Sequence, residues 1–266
     1  MKAIVLSRRS HREYDEIISL YTYDNGRVEV LAKGNKKIVS KQSPFLEPFS
    51  IIECAIIPGR EIDHLAKTQS VEYFPRIRQD EFKSRAGIWA ATLTRALTPE
   101  HVPDKHIFFA LKNWLEFLEK IDNASPIILD AFAIVLMRLL GFIPQLEECV
   151  ICHKEFKIIA HDFLANENKL EPGIYYAGGG LVCGQCRLLK QNIGEEIAVL
   201  GLQELSALSL LVKGDWRLIV DFEIEKSESI RLHEVVYKFV LYHSEVPLRN
   251  WGFLFTMSEL ASRMVT

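Results

Sequence analysis

Two Cys-x-x-Cys pairs, Cys149-Val150-Ile151-Cys152 and Cys183-Gly184-Gln185-Cys186, constrain this chain more than any other feature. Two residues between sulfurs let both thiolates of one turn face a single ion, and two such turns complete the tetrahedral four-sulfur shell that zinc prefers. Thirty residues separate the pairs. Simple zinc ribbons use about 15–20, so this loop must fold back on itself. Ile158 to Leu164 and Gly173 to Ala177 read as strands, and Gly178-Gly179-Gly180 turns the chain into the second pair. Four ligands leave no open coordination position, so one Zn2+ per chain is expected to be structural rather than catalytic. Lys154, Lys157, Arg187 and Lys190 flank the shell and would offset its negative charge. A redox dithiol is the alternative reading, since Cys-x-x-Cys is also a redox motif. His153, next to Cys152, is a further candidate ligand. The fifth cysteine, Cys54, lies in the apolar run Ile51 to Ile57 and reads as a buried filler.

The first 80 residues read as strands. Ile4 to Leu6 is a short β-branched run, and Ile17 to Tyr23 ends at Asp24-Asn25-Gly26. Arg27-Val28-Glu29-Val30 then alternates with a period of two. A strand, Asn-Gly and an alternating strand together predict a hairpin with positive φ at both turn positions. Ile51 to Ile57, ended by Pro58-Gly59, is another strand, and Ile62 to Val71 is a weaker one. Four or five short strands without a helical period predict a small closed barrel. The five-stranded OB-fold is the economical solution, and it binds oligonucleotides through strands 2–3 and adjoining loops.

The net charge of −3 argues against a nucleic-acid binder, but the charge is unevenly spread. Residues 1–80 carry 13 basic and 11 acidic side chains, against 19 and 24 in the remainder. Arg27 to Lys41 holds five cations and one anion, and Arg8, Arg9, His11 and Arg12 form a second cluster. Such asymmetry points to a polyanion, although a solvated loop has the same composition. Lys33-Gly34-Asn35-Lys36-Lys37 follows the third strand and falls on a loop at the barrel mouth. Gly34 lets the backbone turn there, and Asn35 tolerates unusual φ. The candidate DNA-binding residues are Arg8, Arg9, Lys33, Lys36, Lys37 and Lys41, which would neutralise phosphates without reading sequence. Tyr14, Tyr21, Tyr23 and Phe45 lie nearby and are candidate base stackers; strand alternation equally suits Tyr21 and Phe45 to the barrel core.

From Asp80 the period becomes helical. Phe82, Ala86, Trp89, Leu93 and Ala96 form one stripe, ended by Pro99, and Ile107, Leu111, Trp114, Leu118 and Ile121 form the next. A third helix starts at Ser125-Pro126, with Ser as cap and Pro at the first position. It is apolar nearly all round to Leu140, which places it centrally, and Gly141 ends it. Ala198, Leu202, Leu205, Leu208 and Val212 form a later stripe, ended by Gly214, and Leu232, Val235, Val236, Phe239 and Val240 another. The expected fold is therefore α+β: an N-terminal OB-fold barrel over residues 1–79, then a helical domain over 80–266 with the four-cysteine zinc module inserted at about 145–190.

The sequence has no phosphate-loop, dinucleotide-binding, nucleophile-elbow or His-Glu-x-x-His motif, so no catalytic residue is assigned and an enzyme is not expected. The longest apolar run, Ala131 to Met137, is stopped by Asp130 and Arg138 and falls short of the roughly 18 residues of a membrane span. The N-terminus has too short an apolar core for a signal peptide. A cytoplasmic protein with no membrane partner is expected.

These residues together resemble the RecO family of bacterial DNA repair and recombination mediator proteins, over nearly the whole chain. Ala3-Ile4-Val5-Leu6, Glu16 to Thr22 and Gly26 are similar to that family's first hairpin. Lys33-Gly34-Asn35-Lys36-Lys37, Ser40 and Leu46-Glu47-Pro48-Phe49 resemble its basic loop and the motif after it. Leu139-Leu140-Gly141-Phe142-Ile143-Pro144, leading into Cys149 and Cys152, is the most specific match. Phe163, Gly179-Gly180, Cys183 and Cys186 match its zinc segment. Leu248-Arg249-Asn250 departs from the family's frequent Leu-Lys-Ser. The resemblance implies a mediator that binds single- and double-stranded DNA and anneals complementary strands. With RecR, and with RecF as a further candidate, it would help RecA replace the single-strand-binding protein SSB. It also implies contact with the acidic C-terminal tail of SSB and a nucleoid-associated location. The alternative is a zinc-stabilised protein-interaction scaffold whose nucleic-acid binding is incidental.

Overall fold

The computed structural model describes residues 1–122, 125–156 and 170–244. It divides into two compact units, Met1–Ala124 and Ser125–Thr266.

The first unit is built on a closed five-stranded barrel. β1 (Lys2–Ser10), β2 (Glu16–Thr22), β3 (Gly26–Ala32), β4 (Ile51–Ile57) and β5 (Asp63–Glu72) are ordered β1-β2-β3-β5-β4, and β4 returns to β1. The β3–β5 pair is parallel, Val30 facing Asp63 and Leu31 facing His64, and the other pairs are antiparallel. This is the OB-like barrel expected from the strand count. Its interior is filled by Ala3, Val5, Ile18, Leu20, Val28, Val30, Ile52, Cys54 and Leu65, and by Leu46 from a short 3-10 turn at Ser43–Leu46. Cys54 is thus the core residue its strand context implied.

The β2–β3 hairpin forms, but its turn differs from the expected one. Thr22 pairs with Gly26, so three residues lie between the strands, and Gly26 (φ +66°) has positive φ while Asn25 does not. The Thr22 hydroxyl stabilises this longer turn: it accepts from the Asn25 N–H at 2.9 Å and donates to the Gly26 carbonyl at 3.0 Å. Gly26 is required twice. Besides its φ, a Cβ there would stand 2.2 Å from the Val102 carbonyl oxygen.

α1 (Pro75–Gln79), α2 (Glu81–Leu97) and α3 (Lys105–Lys120) complete the first unit. The helical period begins near residue 80 as read from the sequence, yet α2 and α3 belong to the same compact unit as the barrel. The reason lies in the β1–β2 hairpin, whose outward residues are also apolar. Ile4 and its cross-strand partner Tyr21 are fully buried, and Leu6 is buried with them. α2 packs on β1, and the Tyr21 hydroxyl donates to the Asp104 carbonyl at 3.2 Å, immediately before α3. Burial pushes the Tyr21 phenol up to about 12. Arg78, between the rings of Phe49 and Tyr73 at 4.2 and 4.1 Å, donates to the Pro48 carbonyl and the Ser50 hydroxyl, tying α1 to the start of β4.

In the second unit α4 (Ile127–Leu139) is buried from Ile127 to Met137 and is packed by α6 (Leu202–Lys213), α7 (Trp216–Val220) and α8 (Lys226–Ser244). It lacks the expected serine cap. Pro126 takes the cap position, and the Ser125 carbonyl instead accepts from the Ile128 N–H at 3.2 Å in a tight first turn. At the other end Gly141 and Phe142 N–H groups bond back to the Arg138 and Met137 carbonyls, a Schellman closure. β6 (Gly173–Tyr175), β7 (Gly180–Val182) and β8 (Ile197–Val199) form a small antiparallel sheet in the order β7-β6-β8, with α5 (Gly184–Gln191) between β7 and β8. Ala198 therefore lies on β8, not in the helical stripe proposed for it; that helix starts at Leu202. The expected strand Ile158 to Leu164, with Lys157 and Phe163, and the Leu248-Arg249-Asn250 segment lie outside the described residues. No helix among the described residues is long and apolar enough to cross a membrane.

Asp130 on α4 and His233 on α8 form a buried pair, Nδ1 to Oδ1 2.6 Å. Burial works against the charged imidazolium, but the Asp130 carboxylate outweighs it, with Glu234 adding to the effect, and the His233 pKa rises above its ordinary value. A raised folded-state pKa gives stability that is complete below the unfolded histidine value of about 6.5 and is lost as pH rises through the folded value. Thermal melting followed from pH 6 upward is expected to show that decline. Asp130→Asn is expected to flatten it and to destabilise the protein near pH 6, because the amide can still accept a hydrogen bond from Nδ1 but no longer compensates the imidazolium charge. Gly26→Ala is expected to lower stability in urea unfolding by about 2 kcal/mol or more, since the left-handed backbone alone costs roughly 1–2 kcal/mol.

Candidate functional site

The basic segment after β3 is a built loop rather than a loose one. Gly34 (φ +65°) turns the chain so that its N–H donates to the Asp15 carboxylate at 2.8 Å. The Lys36 N–H donates to the Tyr14 carbonyl at 3.0 Å. Asn35 is buried, and its amide donates to the Glu16 carboxylate at 2.5 Å. Asn35 therefore serves through its side chain; its φ is not left-handed as its residue type allowed. These hydrogen bonds tie the loop to the segment joining β1 and β2, leaving Lys33, Lys36, Lys37 and Lys41 exposed. The Lys37 ammonium lies 5.6 Å from the centre of the Tyr14 ring, which is itself exposed.

Arg8 and Arg9 sit at the end of β1 and are partnered. Arg8 pairs with Glu47 at 2.8 Å and Arg9 with Glu29 at 2.9 Å. Both pairs are exposed enough to be worth only about 0–1 kcal/mol, so a phosphate can compete for either guanidinium. Arg27, counted with the basic stretch, has a structural task. Its Nε donates to the Thr98 carbonyl at 2.8 Å and its guanidinium pairs with Glu100 at 2.9 Å. Three of the four aromatic candidates are also committed elsewhere. Tyr21 is buried, Phe45 packs against the barrel core, and Tyr23 meets Phe108 and Phe109 edge-on at 5.6 and 5.9 Å. Tyr14 is the one that keeps an exposed ring beside the lysines.

In the second unit the four sulfurs of Cys149, Cys152, Cys183 and Cys186 all lie within 4.8 Å of one another. Cys152 and Cys183 are 3.8 Å apart, far beyond the roughly 2.05 Å of a disulfide and close to the edge of a tetrahedron with metal–sulfur bonds of about 2.3 Å. Two local structures bring them together. Glu148 and Glu155 bridge across a tight turn, in which the His153 N–H donates to the Cys149 carbonyl and the Cys149 N–H to the Lys154 carbonyl, both at 2.9 Å. Opposite it, Cys183 occupies the position just before α5 after the β6–β7 hairpin, and Cys186 lies in the first turn of that helix. Burial pushes the Cys149 thiol up, but backbone N–H groups of Cys152, Cys183 and Ile151 outweigh it and bring it down to about 7. Burial and the neighbouring sulfurs push Cys186 strongly the other way. Four thiolates this close cannot all ionise without a cation among them, so the donor set fits a soft divalent metal. His153 is not part of the cluster: its Nδ1 bonds the Glu148 carboxylate at 3.0 Å, which raises its pKa. Of the flanking cations, Arg187 donates to the Glu171 carbonyl at 2.9 Å and Lys190 lies 5.4 Å from the centre of the Tyr175 ring.

Comparison with known proteins agrees for both parts of the chain. The family model described as recombination protein O N terminal matches residues 1–74, and that described as recombination protein O C terminal matches residues 78–252. The DNA repair protein RecO of Pelotomaculum thermopropionicum is 28% identical over 254 residues, covering 95% of this chain and 91% of that protein. That of Symbiobacterium thermophilum is 27% identical over 256 residues, 96% of this chain and 95% of that protein. That of Dehalococcoides mccartyi strain BAV1 is 32% identical over 200 residues, 74% of this chain and 73% of that protein. The two models together span the barrel, the helices and the four cysteines, and the chain belongs to the RecO family of DNA repair proteins.

Proposed function

We propose that this chain is a recombination mediator that binds single- and double-stranded DNA, anneals complementary strands and, with RecR, and with RecF as a further candidate, helps load RecA onto strands coated by SSB. The observation that carries the reading is the anchored loop, which holds Lys33, Lys36, Lys37 and Lys41 exposed and, among the described residues, clear of carboxylate partners on an OB-like barrel. Phosphates are captured there by charge, with Arg8 and Arg9 recruited by exchange from Glu47 and Glu29. Capture without sequence readout suits annealing, in which two strands of any sequence must be held together and released as a duplex. RecR and the acidic tail of SSB are the protein partners, and the protein works at the nucleoid. No catalytic residue is assigned.

The mechanism asks the lysines to concentrate two polyanions while their own charge screens strand repulsion. Lys36→Glu combined with Lys37→Glu is expected to weaken DNA binding. It is also expected to lower the slope of log affinity against log salt by roughly 0.7 for each single-strand phosphate that the variant no longer neutralises. Annealing of complementary strands coated with SSB, measured with the same variant, is expected to slow in parallel. Unchanged affinity and slope would remove these lysines from the site.

The four-cysteine cluster is assigned one Zn2+ per chain in a structural role, held by Cys149, Cys152, Cys183 and Cys186. The ion would supply charge balance and a crosslink. Metal analysis of the purified chain is expected to give about one zinc per polypeptide, and chelation is expected to unfold the small module. Metal-free protein whose cysteines oxidise readily would favour the redox reading instead.

A further inference from the structure

The loop that carries the lysines also carries two exposed apolar residues. Ile38 and Val39 are 104% and 81% exposed. Isolated apolar side chains on a surface need no explanation, but this pair is placed unusually. The Ser40 N–H donates to the Lys37 carbonyl at 2.8 Å, so Ile38 and Val39 are the two central residues of a β-turn. Those positions favour Gly, Pro, Asn, Asp and Ser, and β-branched residues have no local reason to occupy them. The turn is also held outward. The Lys37 N–H donates to the Gly34 carbonyl at 3.1 Å, Ser40 Oγ meets Asn35 Oδ1 at 3.4 Å, and the Ser43 N–H donates to Ser40 Oγ at 3.3 Å. The tip is therefore prevented from folding back onto apolar surface.

We propose that Ile38 and Val39 form an apolar wedge that enters between bases of the bound nucleic acid. The inference rests on the phosphate-binding reading of this loop and adds to it an interaction with the bases. Charge complementarity selects the occupant. Lys36 and Lys37 precede the tip and Lys41 follows it, all exposed, so the apolar pair is flanked by cations on both sides in sequence. Nucleic acid has the matching arrangement, with phosphates outside and apolar base faces within. Inserted apolar side chains of this kind separate base steps in architectural DNA-binding proteins. Val and Ile suit the task because a stiff χ1 leaves little freedom to be given up on insertion. A wedge that opens base steps regardless of sequence would keep a captured strand unstacked and its bases available for pairing.

The test uses the full chain and oligonucleotides bearing 2-aminopurine, whose fluorescence rises when it is unstacked. Wild-type protein is expected to raise that fluorescence. Ile38→Ser combined with Val39→Ser is expected to abolish the rise and weaken binding roughly tenfold or more, since lost burial of even one such side chain is worth about tenfold, with the salt slope unchanged. Ile38→Leu is expected to retain both properties. Equal thermal melting of the variants confirms that these surface changes leave the fold intact. If the double serine variant keeps wild-type affinity and fluorescence while Lys36→Glu with Lys37→Glu lowers the salt slope, the wedge is wrong and the phosphate reading stands. If the lysine variant also binds as wild type, both fail. If the serine variant differs only in binding phosphatidylserine-containing vesicles, the tip is a lipid contact and the proposal is overturned.

Discussion

Burial of both faces of the β1–β2 hairpin is the constraint on which the first unit depends. Inward, Ala3, Val5, Ile18 and Leu20 fill the barrel; outward, Ile4, Leu6 and Tyr21 are as completely hidden. A small barrel with one polar outer surface could stand alone. This one would expose a contiguous apolar strip, so α2 and the approach to α3 must cover it. The covering segment is then pinned at Tyr21 to Asp104, Arg27 to Thr98 and Glu100, and Gly26 against Val102. The side of the barrel carrying the lysine loop draws its rigidity from the same hairpin, because Asp15 and Glu16 lead into β2.

That arrangement explains how a chain with a net charge of −3 presents a basic surface. Formal charge counts every cation equally, whereas the fold does not. Arg27 is bound to Glu100, Arg9 to Glu29 and Arg8 to Glu47. Lys33, Lys36, Lys37 and Lys41 are set apart from these pairs because the acids nearest in sequence, Glu29 and Glu47, are taken by Arg9 and Arg8, while Asp15 and Glu16 are turned to hold the loop backbone and Asn35. Two carboxylates that lower the local charge on paper are thus the groups that organise the cations.

Strands and long helices were legible in the sequence because each has a period enforced by burial on one side. β4 runs from Ile51 to Ile57 as its apolar run suggests, and the α2 and α3 stripes end within a residue or two of Pro99 and Ile121. What was not legible depends on distant partners. β8 is three residues long and exists because β6 supplies its hydrogen bonds, so Ala198 fits a helical stripe equally well in one dimension. Ser125 has the chemistry of a cap, but the tight first turn places Pro126 there. Asn35 reads as a turn former; its buried bond to Glu16, nineteen residues away, has no local signal. The cysteine spacing was readable because metal geometry is itself a local rule. The fate of Tyr21 and Tyr23 as packing residues required knowing which helix covers them.

The thiol cluster is a donor set that suits a metal in so small a module. β6, β7 and β8 have three residues each, and the core beneath them is Tyr175, Val182, Ile197 and the buried sulfurs Cys149 and Cys186. Strands this short bury little apolar area, and assemblies of this size ordinarily need a metal or disulfides. A disulfide does not join Cys152 to Cys183, whose sulfurs are 3.8 Å apart. Without an ion the same cluster is electrostatically divided: backbone donors favour a thiolate at Cys149 while burial among sulfurs opposes one at Cys186. A divalent cation held by the four cysteines would remove that conflict, because it would favour the thiolate at each sulfur. The backbone N–H groups directed at Cys149 would stabilise the resulting charge, so the fold offers outer support as well as four sulfur donors to such an ion.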